Sequence, residues 1–149
     1  MTTHAPLRTI GFPGRYTQGP GALSALGSTL AELGARRAFV LVDGAVIDRV
    51  SAQVTRSIED AHIVTFPGEC TAAVIAKLSD DARELNADAV VAIGGGKTID
   101  SAKGVARALN VPIVIAPSAA SSDAPTSRLI ILYDDAHRVA GIDMLPRNP

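Results

Sequence analysis

The chain has 149 residues, 47% of them hydrophobic, and a formal net charge of -1 at pH 7. That length and apolar content suit one globular domain with a sizeable core and leave no room for a second. Acidic and basic side chains nearly balance and no Lys/Arg run forms a basic stripe, which excludes the electrostatic footprint of a nucleic-acid binder. The longest apolar runs, such as Ala38 to Val42 and Ala89 to Ile93, are far short of a bilayer span of roughly 20 residues. The start, Met1 to Arg8, lacks a basic stretch followed by an apolar core, so a soluble, cytoplasmic protein is expected. Cys70 stands alone, which excludes an intrachain disulfide and a multi-cysteine metal site.

In chain order, Arg15 to Gly19 reads as a short strand, and Gly21 to Leu33 as a helix with Leu23, Leu26, Leu30 and Leu33 on one side. Arg37 to Val42 reads as a buried strand. Val46, Ile47, Val50, Val54 and Ile58 then recur at helical spacing, and His62 to Phe66 forms the next strand. Thr71 is placed to cap a helix whose buried stripe is Val74, Ile75, Leu78, Ala82 and Leu85. Ala89 to Ile93 is a fully apolar strand, followed by Gly94-Gly95-Gly96, a helix from about Lys97 to Leu109, and a strand over Val111 to Ala116. Arg128 to Tyr133 and Arg138 to Ile142 flank Asp134 to His137, which predicts a β-hairpin. Leu145 to Pro149, with two closely spaced prolines, reads as a linker beginning at about residue 146. Continuous apolar strands alternating with amphipathic helices predict an α/β fold: a doubly wound, mostly parallel Rossmann-like sheet with helices on both faces and a C-terminal β-hairpin.

The strongest chemical signal is the run Ala92 to Asp100, with its glycine triplet between a buried strand and a helix. Glycines let a ligand approach the backbone closely, and a helix start offers free N–H groups and partial positive charge, so a phosphate fits there. A tight turn needing glycine only for its geometry is the plainer reading. The P-loop pattern fails, because its first glycine would fall on Val91. The usual dinucleotide fingerprint fails too, since the acidic candidate Asp43 precedes the glycine loop instead of following it. At the carboxyl end of a strand, Asp43 can accept from ribose hydroxyls and repel the extra phosphate of NADP, or simply cap the helix that follows. The loop Ala116 to Ser127 is polar, built of small residues and again follows a strand; it is equally a ligand loop or a solvated turn. His4, His62 and His137 are scattered without ligand spacing and read as ordinary histidines.

Pro13 to Gly19, Gly68-Glu69-Cys70, Gly94 to Lys103, Ala116 to Ser127 and Leu145 to Pro149 together resemble the cofactor-binding domain of the glycerol dehydrogenases. These belong to the metal-dependent, iron-type alcohol dehydrogenase superfamily, which shares its fold with dehydroquinate synthase. The resemblance implies that NAD lies across the carboxyl edge of the sheet, with Gly95, Gly96, Lys97, Thr98 and Asp100 as the phosphate-side wall and Asp43 at the adenosine ribose. It further implies cofactor contacts from Ser118, Ser121, Ser127, Leu129 and Tyr133, and glycerol contact from Asp123. The implied reaction is oxidation of glycerol or a related polyol to the ketone, with hydride passing to NAD and a divalent cation, usually zinc, activating the alcohol. The resemblance places the metal's ligands in a helical C-terminal domain that this sequence does not contain, so residues 1 to 149 are expected to bind NAD weakly if at all and to turn over no glycerol. A homo-oligomer is the expected assembly. The alternatives are a superfamily dehydrogenase acting on a hydroxycarboxylate or glycerol 1-phosphate, and a non-catalytic binding or assembly module. Glu69 and Cys70 have no functional reading beyond the resemblance.

Overall fold

The computed structural model describes residues 13 to 149; His4 and the start of the chain lie outside it. A 3₁₀ turn, Ala22–Ala25, leads into α1 (Leu26–Glu32). Then come β1 (Arg37–Val42), α2 (Ile47–Ser57), β2 (Asp60–Thr65), α3 (Ala72–Glu84), β3 (Ala89–Gly94), α4 (Gly96–Leu109), β4 (Ile113–Pro117), β5 (Leu129–Tyr133) and β6 (Val139–Met144). The first four strands form one parallel sheet in the order β2-β1-β3-β4, and β5 and β6 pair separately as an antiparallel hairpin.

The strand pleat explains why both faces of this sheet are covered. Side chains alternate in β1 and β3: Phe39, Leu41, Val90 and Ala92 pack against Leu78 and Ala82 of α3 and Ile99, Ala102, Val105 and Ala106 of α4. The alternate set, Ala38, Val40, Val42, Ala89, Val91 and Ile93, packs against Leu26 and Leu30 of α1 and Val54 of α2. β1 and β3 are therefore apolar on both sides and almost wholly buried, each large side chain contributing roughly 1.5–3 kcal/mol by leaving water. Thr71 caps α3 as expected, its hydroxyl accepting from Val74 N at 3.1 Å.

Four expectations need correction. The strand expected from Val111 begins at Ile113, because Val111 N still donates to Ala106 O at the end of α4. Arg15 to Gly19 forms no strand; these residues have no neighbouring strand among the described residues, and an extended segment without a ladder partner is not a strand. The helix over Gly21 to Leu33 is shorter and broken: Gly21 takes a left-handed conformation at φ 77, the first turn is 3₁₀, and Leu33 falls beyond α1 with 49% of its surface exposed. β2 begins two residues early because the ladder carries Arg37 against Asp60, where an ion pair at 3.1 Å replaces apolar contact.

Candidate functional site

The sheet order creates one crevice at its carboxyl edge. β1 leads into α2 on one face of the sheet, and its neighbour β3 leads into α4 on the other, so the chain diverges between them. Open α/β sheets bind ligands at such a switch point. Asp43 N continues the ladder by donating to Ile93 O at 2.8 Å, which sets Asp43 beside the glycine triplet.

The three glycines are not equivalent. A Cβ on Gly94 would lie 2.8 Å from both Asp43 Cβ and Thr98 Oγ1, so packing alone demands glycine there. Gly95 has φ -88, which any residue adopts, and a Cβ on it would meet nothing within 4 Å. On Gly96 the nearest atom would be Ser122 Oγ at 3.4 Å, an ordinary contact. Neither backbone conformation nor internal packing explains glycine at these two positions. They open the start of α4, whose first N–H groups have no intrahelical acceptor and receive no cap from the side-chain-less Gly95.

Two clefts meet at this point. The larger, about 480 Å³, is lined by Asp43, Gly44, Phe66, Gly68, Gly95, Gly96, Lys97 and Thr98. The smaller, about 320 Å³, runs from Gly96 and Lys97 past Asp100 to Ser121, Ser122, Asp123 and Ala124 of the polar loop and Ser127, Leu129, Ile131 and Tyr133 near or on β5. Gly96 and Lys97 belong to both. Asp43 Oδ1 accepts from Ala45 N at 2.9 Å and Oδ2 from Thr98 Oγ1 at 3.3 Å, which aims the carboxylate across the crevice. The side chain makes a local turn and ties β1 to α4, and it does not cap α2, whose N-cap residue is Val46.

Lys97 is held by Glu69. Its ammonium donates to Glu69 Oε2 at 2.7 Å and stands 4.6 Å from the centre of the Tyr133 ring. The same carboxylate oxygen meets His137 Nδ1 at 2.5 Å, and Oε1 accepts from Cys70 N at 3.0 Å. Bonding to Lys97 first, and then to His137, holds the Glu69 carboxyl down at about 2. Burial pushes the Cys70 thiol up to about 11, which makes it a protonated, apolar filler.

The expected residues divide by role. Asp43, Gly95, Gly96, Lys97 and Thr98 line the larger cleft; Gly96, Lys97, Asp100, Ser121, Asp123, Ser127, Leu129 and Tyr133 line the smaller. Ser118 lines neither, and its backbone N–H donates to Gly94 O at 2.9 Å. Asp100 also has structural bonds: Oδ1 accepts from Lys103 Nζ at 3.0 Å and Oδ2 from Ile131 N at 3.0 Å. Gly44, Phe66 and Gly68 were not anticipated, although Gly68, with φ +106, sits in the Gly68-Glu69-Cys70 segment. His62 stacks on Phe39 with ring centroids 6.2 Å apart and lines neither of these two clefts. Among the described residues no group of three or more His, Cys, Asp or Glu side chains could hold a metal ion, and no helix is long and apolar enough to cross a membrane.

Comparison with known proteins agrees with this architecture. The family model "Iron-containing alcohol dehydrogenase" matches residues 13–148. The chain is 42% identical over 148 residues to glycerol dehydrogenase of Thermotoga maritima, covering 96% of this chain and 40% of that protein. It is 39% identical over 146 residues to glycerol dehydrogenase of Escherichia coli O6:H1, covering 95% of this chain and 40% of that protein. A crystal structure of a probable glycerol dehydrogenase from Sinorhizobium meliloti superposes with a TM-score of 0.87 at 39% identity, covering 96% of this chain and 39% of the other. The chain thus spans about 40% of the length of the curated relatives it matches. With a family model that matches residues 13–148, nearly its whole length, this chain belongs to the iron-containing alcohol dehydrogenase family.

Proposed function

We propose that this chain is the NAD-binding part of a glycerol dehydrogenase-like oxidoreductase. The observation that carries this reading is the pair Gly95 and Gly96, glycines that neither fold geometry nor packing requires, at the uncapped start of α4. A dinucleotide's diphosphate fits there because backbone N–H groups and the helix dipole meet negative charge while absent side chains permit close approach. The adenosine ribose then lies beside Asp43, whose oxygens each retain a lone pair for a hydroxyl. The nicotinamide end lies in the smaller cleft, near Ser121, Ser127, Leu129 and Tyr133.

The substrate proposed is glycerol or a similar uncharged polyol. Among the described residues lining the smaller cleft, Lys97 is the one basic side chain and it is already paired with Glu69, whereas Asp123 adds negative charge. A carboxylate accepts from two vicinal hydroxyls and disfavours a phosphorylated substrate. Bound there, NAD would supply a hydride acceptor for the carbinol carbon, and the hydroxyl proton would pass to solvent, leaving a ketone.

Calorimetric titration of NAD into the purified chain and its Gly95→Val variant tests the reading. Valine is compatible with the backbone at Gly95 and projects into open space, so the variant should melt normally while losing at least about tenfold in affinity, or about 1.4 kcal/mol. Equal binding by the two proteins, or a preference for NADP over NAD, would count against it.

A further inference from the structure

Glu69 joins three parts of the molecule through one side chain. It follows β2, Lys97 opens α4, and His137 lies in the turn between β5 and β6. A single oxygen, Oε2, meets both Lys97 Nζ at 2.7 Å and His137 Nδ1 at 2.5 Å. The segment is fixed from behind: Oε1 accepts from Cys70 N, Cys70 O accepts from Tyr133 N at 2.8 Å, and the Cys70 side chain is fully buried. The Glu69 side chain is itself only 16% exposed, although His137 is 74% exposed. Lysine carries several rotatable bonds and would otherwise sample the mouths of both clefts. Held by Glu69 and over the Tyr133 ring, its ammonium stands at the boundary the two clefts share.

We propose that Glu69 is a positioning residue that clamps Lys97 and the β5–β6 turn together, fixing the boundary across which a dinucleotide passes from the larger cleft to the smaller. This inference rests on the dinucleotide reading above. It gives a role to a carboxylate that, on charge alone, would oppose a diphosphate close by. The two effects have opposite signs. As a bare charge, Glu69 weakens anion binding and its removal strengthens it; as a clamp, it organises the smaller cleft, and its removal weakens any ligand that must fill both.

The test compares Glu69→Gln and Glu69→Asp with the unaltered chain in two measurements. In the first, hydrogen exchange is followed without ligand. Loss of the clamp should speed exchange by about tenfold or more at Tyr133 and in the turn Asp134 to His137, with β1 and β3 unchanged, and Asp should restore part of the protection. Unchanged exchange in the turn overturns the clamp. In the second, NAD and ADP are titrated by calorimetry; on the dinucleotide reading ADP fills only the larger cleft. The Gln variant should lose about tenfold for NAD and less than twofold for ADP. Equal losses for both ligands, or tighter NAD binding, overturn the positioning role. Altered exchange at the turn, with neither ligand bound by the unaltered chain, would uphold the clamp as a structural tie but overturn both its dinucleotide role and the NAD reading.

Discussion

Glu69 accepts from a lysine, a histidine and a backbone N–H, and the consequence is measurable in acid. Its carboxyl falls from an ordinary 4.5 to about 2, chiefly through Lys97 and then His137. A group whose pKa is depressed by folding stabilises the native state above its unfolded value and loses that contribution as pH falls through its folded value. The melting temperature should therefore decline between about pH 4.5 and pH 2 more steeply in the unaltered chain than in Glu69→Gln, as calorimetric scans at several pH values would read. Identical slopes would mean that the three-way contact is not formed in solution. Cys70 makes a complementary prediction: buried, with its thiol pushed up to about 11, it should resist a thiol reagent at pH 8 until denaturant is added. At this scale the sequence was only partly legible. Gly94 to Gly96 marks the site plainly, but nothing in three identical letters separates Gly94, which packs against Asp43, from Gly95 and Gly96, which do not. Glu69 was invisible for a related reason, since its partners lie 28 and 68 residues away.

Between elements, close approach is set by glycine and by one buried ion pair. A Cβ on Gly27 would collide with the carbonyl oxygen of Ser57, a backbone atom at the end of α2. One on Gly104 would stand 2.6 Å from Ile75 Cδ1 and 2.8 Å from its Cγ2, so the Ile75 side chain as a whole would have to move, although no backbone atom is struck. Gly27→Ala should thus cost about 1–3 kcal/mol or more and Gly104→Ala less, measured by urea unfolding. Lys103 is wholly buried, donating to Asp100 and, at 2.8 Å, to Leu129 O; Asp100 in turn receives Ile131 N, so the pair fastens β5 to α4. Lys103→Met leaves a buried carboxylate unpaired and should destabilise by about 3–5 kcal/mol in the same measurement. β1 and β3 could be read from the sequence because both faces are covered and the apolar runs are unbroken. The start of β2 could not, since its first pair is ionic, nor could the irregularity of Arg15 to Gly19, because pairing is a property of two segments and the pattern describes one.

Across the whole molecule, strand order decides where the chemistry sits. Placing β1 beside β3 brings Asp43 against a glycine loop some fifty residues later, an order that the usual dinucleotide fingerprint does not contain. The sheet and its two helical layers were legible from alternation alone, whereas the joining of two clefts at Lys97 depends on how the hairpin docks, which no periodicity encodes. Mapping amide chemical shifts during addition of NAD to the isotope-labelled chain tests the central claim most directly. The account predicts saturable shifts at Gly95 to Thr98 together with Ser121 to Tyr133, and small ones at the opposite edge of the sheet around Arg37 and Asp88. Shifts that spare the glycine loop, or none even at NAD concentrations far above those that saturate known dehydrogenases, would contradict it.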